Sequence, residues 1–131
     1  MKFLIAEDEL TSRLLLQNML NRYGKCHLAT NGLDAVKAVR DALEAGEPYD
    51  LICLDIEMPQ MDGHTALKEI RAAEESHGIT SDNAATVVMT TVSEKTQDVT
   101  MAYDRLCDGY LVKPIAKVDL MVYLQTAGLF T

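Results

Sequence analysis

The sequence predicts a doubly wound α/β fold, in which helices cover both faces of a five-stranded parallel sheet. Short apolar runs alternate with longer amphipathic runs along the whole chain. One of the short runs, residues 51–54, contains no polar residue, which is typical of a strand covered on both faces. The length of 131 residues is that of one domain, so we expect residues 1–131 to form a single unit.

The N-terminal half of the chain accounts for two strands and two helices. A hydroxyl of Thr11 or Ser12 can cap the first helix, and Gly24 can close it. Asn31 and Gly32 turn the chain into the second helix. The predicted elements are, in order, a strand at 3–6, a helix from about 11, a weaker strand at 25–29 and a helix from 32 to about 46.

The C-terminal half supplies three more strands and three more helices. The loop that contains Pro59 and Gly63 leads into the third helix, and the polar segment 76–83 is predicted as a long loop with no assigned role. The remaining predicted elements are the strand at 51–54, the helix that follows Gly63, a strand at 86–89, a helix at 97–106, a strand at 110–112 and a helix at 118–126.

Composition excludes several classes of protein. The net charge of −8 and the pI near 4.7 argue against nucleic-acid binding, which needs clustered Lys and Arg. The apolar start, residues 1–6, is too short for a signal peptide or a membrane span, so we expect a cytoplasmic protein without a membrane partner. Cys26, Cys53 and Cys107 form no C-x-x-C pair, which argues against disulfides and zinc and favours buried thiols.

Polar residues follow four of the predicted strands, where each strand ends. In open α/β sheets, ligands bind beyond the carboxyl ends of the strands, and the order 2-1-3-4-5 of flavodoxin-like folds would make strands one, three, four and five neighbours. Several acids, two hydroxyls and one lysine would then share a cleft. The residues at these strand ends are Glu7 and Asp8, Asp55, Thr90 and Thr91, and Lys113 with Pro114.

This combination of side chains favours a magnesium-dependent phosphoryl site. Two carboxylates about 4 Å apart repel by roughly 4 kcal/mol at an effective dielectric constant of about 20, so three of them need a counter-charge. Mg²⁺ accepts one or two carboxylates, water and a phosphoryl oxygen as ligands. A lysine and a hydroxyl can hold the other phosphoryl oxygens, and a carboxylate beside a metal can act as a nucleophile.

The chain resembles the receiver domains of response regulators in two-component systems. The segment 51–63, which contains Asp55 and Pro59, is similar to the phosphorylation-site segment of that family. The acids at 7–9, the hydroxyl after the fourth strand and the Tyr110-Leu-Val-Lys113-Pro114 segment match its other signatures in order. The resemblance covers essentially the whole chain.

The resemblance implies a role for each of these residues. Asp55 would be the phosphoacceptor, and the ammonium group of Lys113 would pair with the phosphoryl group. The peptide bond between Lys113 and Pro114 would be cis. Tyr110 would change rotamer when the hydroxyl of the fourth strand moves inward. The implied ligands of Mg²⁺ are Asp8 directly, Glu7 through water, Asp55, and the backbone carbonyl of Glu57.

Two hydroxyls compete for the switch role at the end of the fourth strand. Counting back from Lys113, Thr91 falls where receivers carry the switch hydroxyl, and Thr90 is the alternative one residue earlier. Val92 then occupies a position where the family usually has a smaller residue. We expect Val92 to narrow access to the acyl phosphate and to slow both its formation and its hydrolysis.

The function implied by the resemblance is a phosphorelay switch whose only chemistry is its own phosphorylation and hydrolysis. A histidine kinase or histidine phosphotransfer protein would act upstream. An unidentified protein, or a second copy of the chain, would bind the face made by the fourth helix, fifth strand and fifth helix. Two other classes stay open: a haloacid-dehalogenase-type phosphatase, which rapid turnover of phosphate esters would reveal, and a flavodoxin-like FMN binder, whose phosphate Glu7, Asp8 and Glu9 would repel.

Overall fold

The computed structural model describes residues 1–92 and 106–129. The last helix, the fifth of the sequence prediction, is called the C-terminal helix below. The helix predicted at 97–106 has residues 97–105 outside the described part of the chain. The elements are β1 Lys2–Ala6, α1 Leu10–Leu20, β2 Lys25–Ala29, α2 Gly32–Glu44, β3 Leu51–Asp55, α3 Gly63–Ser76, β4 Thr86–Thr91, β5 Gly109–Val112 and the C-terminal helix Lys117–Thr126.

The five strands form one parallel sheet in the order β2-β1-β3-β4-β5, which confirms the predicted fold class and strand order. β1 therefore lies beside β3, with Ala6 opposite Leu54. In the next pair of strands, Asp55 is opposite Thr90. Because parallel strands end at the same edge, the residues that follow β1, β3, β4 and β5 converge there.

Apolar side chains pack on both faces of the sheet, as the doubly wound fold requires. On one face, Ile52 and Val87 belong to a cluster with residues of α2 and α3, among them Ile70. On the other face, Phe3 and Leu111 belong to a cluster with residues of α1 and the C-terminal helix. Successive side chains of a strand point to opposite faces, so strand residues two apart share a cluster.

The strands extend further than the sequence predicted. Asp55, Thr90 and Thr91 are the last residues of their strands rather than the first residues beyond them. All residues of β3 and β4 are buried, including these polar ones. The apolar run of β3 stops at Leu54, yet the parallel ladder continues through Asp55 because β4 offers a partner at Thr90.

The predicted cap of the first helix is wrong. α1 begins at Leu10, and the Glu9 carboxylate accepts hydrogen bonds from the backbone N–H groups of Thr11 and Ser12 at 3.2 and 3.1 Å. A carboxylate can reach these two donors as a Ser or Thr side chain does, and its charge suits the positive end of the helix dipole. The hydroxyl of Ser12 instead donates to the Glu9 carboxylate. The caps of α2 and α3 are Asn31 and Asp62.

The cysteines only partly match the prediction of buried thiols. Cys53 is buried in β3, and burial raises the pKa of its thiol to about 12. Cys26 and Cys107 are half-buried, since they lie at the edges of the packed clusters. No disulfide joins any two cysteines within residues 1–92 and 106–129. In the same ranges, no helix combines the length and apolarity needed to cross a membrane.

Candidate functional site

Three carboxylates and one ammonium meet at the carboxyl edge of the sheet. Each of Glu7, Asp8 and Asp55 offers a carboxylate oxygen within 4.8 Å of those of the other two. Lys113 Nζ lies 2.5 Å from Glu7 Oε2 and 3.2 Å from Asp55 Oδ2. The contact with Asp55 is a hydrogen bond, whereas that with Glu7 is an ion pair without hydrogen-bond alignment. The structure thus brings together four residues that the sequence placed at three separate strand ends.

The strands determine how deeply each acid is buried. Glu7 follows β1 directly, donates its backbone N–H to Ala29 and is 0% exposed. Asp55 ends β3 and is 2% exposed. Asp8, one residue further along the loop, is exposed. The site therefore has two buried acids at its base and one acid open to solvent at its rim.

Electrostatics in the site are dominated by an excess of negative charge. Burial, together with the hydrogen bond and charge of neighbouring Glu7, raises the pKa of Asp55 to about 7, although Lys113 opposes the shift. Burial would lower the pKa of Lys113, yet the Glu7 and Asp55 carboxylates outweigh it and hold that pKa above the usual value. One lysine does not neutralise this group of acids, and a cation bound among them would.

Backbone groups fix the orientation of the acids. The Glu57 N–H donates to Asp55 Oδ1 at 3.2 Å, and the Glu9 N–H donates to Glu7 Oε1 at 3.1 Å. Arg13 on α1 donates to the carbonyl of Glu7 at 3.1 Å, so the first helix is tied to the loop that carries the acids. The sequence prediction gave neither Arg13 nor Glu9 a role in the site, although Glu9 is the last of the acids at 7–9 and Arg13 lies in the helix that follows them.

α3 begins directly against the backbone of the central acid. A Cβ atom at Gly63 would lie 2.4 Å from the carbonyl oxygen of Asp55, so this close approach requires glycine. The Gly63 N–H also donates to the carbonyl of Ile56 at 2.9 Å. The loop between β3 and α3 is therefore held at both of its ends.

The two candidate hydroxyls of β4 differ in their positions. Thr90 pairs with Asp55 across the ladder, and Thr91 lies one residue further toward the strand end. Thr91 Oγ1 donates to Glu57 Oε1 at 3.3 Å. Thr90 Oγ1 is buried and has no hydrogen-bond partner within the described ranges 1–92 and 106–129.

Two further residues named by the sequence prediction, Tyr110 and Pro114, belong to β5 and to the segment after it. Tyr110 is buried in the cluster beside α2 and α3 and pairs with Met89 of β4. The bond between Lys113 and Pro114 is cis, as the resemblance implied. Glu57 is exposed beside the site, where its side chain accepts the hydrogen bond from Thr91.

A cleft of about 700 Å³ opens over these groups. Its apolar walls include Leu15 from α1, Ile115 from the segment after β5, and Val92. Val92 is 68% exposed, so it stands at the mouth of the cleft. The arrangement can hold a divalent ion, orient a carboxylate as a nucleophile and pair an ammonium with an anionic group.

Comparison with known proteins identifies the family. The family model of the response regulator receiver domain matches residues 3–125 of this chain. The chain is 36% identical over 134 aligned residues to the hybrid signal transduction histidine kinase G of Dictyostelium discoideum, covering 100% of this chain and 4% of that protein. It is 33% identical over 127 residues to the probable histidine kinase 2 of Oryza sativa subsp. indica, covering 89% of this chain and 12% of that kinase. The chain thus spans a small part of these curated relatives.

A solved structure that contains a receiver domain is also similar to this chain. The co-crystal structure of the Saccharomyces cerevisiae histidine phosphotransfer signaling protein Ypd1 with the receiver domain of its downstream response regulator Ssk1 matches with a TM-score of 0.78 at 26% identity. The match covers 98% of this chain and 88% of that chain. These matches favour the receiver interpretation over the phosphatase and FMN-binding alternatives. The chain belongs to the response regulator receiver domain family.

Proposed function

We propose that the chain is a phosphorelay switch that accepts a phosphoryl group on Asp55. The observation that carries the proposal is the position of the Asp55 carboxylate, which is buried, open to the cleft, 3.2 Å from Lys113 Nζ and within reach of two further carboxylates. Few structural roles need a buried acid that is crowded by other acids, whereas a metal-assisted nucleophile needs this arrangement.

In the proposed reaction, an Asp55 carboxylate oxygen attacks the phosphorus atom of a phosphohistidine or of acetyl phosphate. A phosphorus–oxygen bond forms while the bond to the donor breaks, and the donor leaves with the electron pair. Lys113 pairs with phosphoryl oxygens as the new group arrives. Water later attacks the same phosphorus atom, the bond between phosphorus and the Asp55 oxygen breaks, and inorganic phosphate leaves the restored carboxylate. The chain needs no further enzymatic activity.

The residues fit a magnesium ion. The carboxylate oxygens of Glu7, Asp8 and Asp55 lie within 4.8 Å of one another, and exposed Asp8 leaves room for water ligands. Burial and the neighbouring Glu7 carboxylate raise the pKa of Asp55, and a bound cation would offset both effects. Asp8, Asp55 and the backbone carbonyl of Glu57 would hold the ion directly, and Glu7 would hold it through water. Bound there, Mg²⁺ would neutralise the charge that builds up on the phosphoryl oxygens.

The change at Asp55 would be passed to the surface by Thr91 and Tyr110. Thr91 lies just beyond the level of Asp55, and Tyr110 is buried on the neighbouring strand. If Thr91 left Glu57 for the phosphoryl group, space would open for Tyr110. The exposed Val118 and Val122 of the C-terminal helix would form part of the surface that a target or a second copy of the chain binds.

Names of the relatives support an upstream partner of a definite kind. The matched kinase from Dictyostelium is a hybrid histidine kinase, and the matched Ssk1 receiver was crystallised with a histidine phosphotransfer protein. We infer that a histidine kinase or phosphotransfer protein supplies the phosphoryl group to this chain as well.

Incubation with acetyl phosphate, with and without Mg²⁺, tests the proposal by intact-mass spectrometry. We expect one phosphoryl group per wild-type chain in Mg²⁺, none in EDTA and none on Asp55→Asn. Asp62→Asn is the control, because Asp62 lies in the same loop but caps α3. Labelling that survives Asp55→Asn, or that does not need Mg²⁺, would refute the assignment.

A further inference from the structure

The hydroxyl of Thr90, the alternative to Thr91 as the switch, lies beneath the site and takes no part in the reaction proposed above. Thr90 is 1% exposed, and its Oγ1 has no hydrogen-bond partner in the part of the chain that the structure describes. A buried hydroxyl without a partner destabilises the fold, and its presence beside the site points to a partner that arrives in another state of the site.

The strand register places this hydroxyl beside the phosphoacceptor. Thr90 is opposite Asp55 across the β3–β4 ladder, and the Ile56 N–H donates to the Thr90 carbonyl at 3.0 Å. Val88 and Cys53, two residues before Thr90 and Asp55, belong to the same cluster beneath α1 and the C-terminal helix. Because side chains two apart in a strand share a face, Thr90 and Asp55 lie on the same face of the sheet.

The side chain of Lys113 must cross β4 on that face. Lys113 follows β5, whereas its partners Asp55 and Glu7 lie on β3 and after β1, and β4 separates β5 from β3. Leu111, which pairs with Thr90, belongs to the same cluster as Val88, so Lys113 two residues later starts on the same face. The last residue of β4 on this face is Thr90.

We propose that Thr90 is a positioning residue for Lys113: its hydroxyl oxygen accepts a hydrogen bond from the Lys113 ammonium once the acids are engaged with Mg²⁺. This inference deepens the proposed function and rests on it. An ammonium has three N–H donors, and the described residues provide it with two partners, Glu7 and Asp55. Without the ion, these charged acceptors bind the ammonium more strongly than a hydroxyl does. With the ion, Thr90 holds the ammonium over β4 beside Asp55.

Thr90→Val removes the hydroxyl and keeps the shape of the side chain, and Thr90→Ser keeps the hydroxyl. Thr86→Val is the matched control, because Thr86 is a buried threonine (7% exposed) on the same face of β4, four residues from the site. We expect Thr90→Val to fold with at least wild-type stability but to be labelled by acetyl phosphate in Mg²⁺ about 3- to 10-fold more slowly. Thr90→Ser and Thr86→Val should be labelled at nearly the wild-type rate.

Two further measurements show whether the hydroxyl acts through the lysine. In a Lys113→Met background, Thr90→Val should cause no additional slowing, since the interacting group is gone. The ¹⁵N resonance of the Lys113 ammonium in Mg²⁺ should shift in Thr90→Val and stay in place in Thr86→Val. Equal labelling of Thr90→Val and wild type, additive slowing in Lys113→Met, or an unmoved Lys113 resonance would each overturn the inference. A wild-type chain that takes no label refutes the proposed function instead, and the resonance still decides the contact.

Discussion

The buried carboxylate of Glu74 accepts a hydrogen bond from the backbone N–H of Ala85 at 2.8 Å, and so joins the end of α3 to the residue just before β4. Its other oxygen pairs with Arg71 at 2.7 Å. Arg71 in turn donates to the carbonyls of Ala85 and Leu106. The Glu74–Arg71 ion pair therefore satisfies backbone groups of two segments, those before β4 and before β5, at the edge of the sheet opposite the phosphoacceptor.

Removal of this buried acid should destabilise the fold. We expect Glu74→Ala to lower the free energy of unfolding by about 3 kcal/mol, because it leaves Arg71 without its buried partner and the Ala85 N–H without an acceptor. Urea denaturation measures the loss. Glu75→Ala on the exposed side of the same helix is the control and should change stability little. Equal losses in the two variants would contradict the assigned role of Glu74.

Asp55→Asn should stabilise the metal-free protein at neutral and basic pH. The pKa of Asp55 is raised from 3.8 to about 7 by burial and Glu7, so its stabilising contribution is complete below the lower value and is lost as pH rises through the upper one. We expect the variant to exceed wild type by about 1–2 kcal/mol near pH 8 and by less near pH 5. Urea denaturation in EDTA measures the free energy of unfolding at each pH, and Asp82→Asn, at an exposed position, is the control. A gain that is the same at both pH values would exclude this cause.

Mg²⁺ should stabilise the wild-type chain through the acidic site. A ligand present at 100 times its Kd stabilises a folded protein by about 2.7 kcal/mol, and the melting temperature rises accordingly. Asp8→Asn should lose most of this rise, because Asp8 offers the exposed carboxylate of the cluster. Asp41 is an exposed acid of α2, and Asp41→Asn should show the same rise in melting temperature as wild type. An undiminished rise in Asp8→Asn would show that the ion binds elsewhere.

Val92→Ala should shorten the lifetime of the phosphorylated chain by a few-fold. Val92 stands at the mouth of the cleft, and we expect its two methyl groups to limit the approach of water to Asp55. Decay of the label after removal of acetyl phosphate measures the lifetime. Val118→Ala, which also trims an exposed valine but lies on the C-terminal helix, should leave the lifetime unchanged. An equal lifetime in Val92→Ala and wild type would disprove the effect.

Local patterns were sufficient to predict the alternation of strands and helices. The strand order was predicted from the requirement that the polar residues at four strand ends meet, and the structure has this order and places Lys113 Nζ 3.2 Å from Asp55 Oδ2. The cap at Glu9 was missed because a carboxylate and a hydroxyl can both reach the first N–H groups of a helix. Glu74 was missed for a different reason. In a polar helix end it resembles its exposed neighbour Glu75, and only the tertiary contact with Ala85 distinguishes them.

The contact between Gly63 and the Asp55 carbonyl limits what a chemical change at position 55 can move. Because the start of α3 lies directly against the Asp55 carbonyl, the main chain there has little room to move when a phosphoryl group is added to Asp55. We expect rotatable side chains to accommodate the added group instead, among them Thr91 on β4 and Tyr110 on β5. We therefore expect phosphorylation of Asp55 to be relayed across the sheet from strand to strand, and we expect a larger residue at position 63 to push α3 away from the Asp55 carbonyl and to disturb this relay.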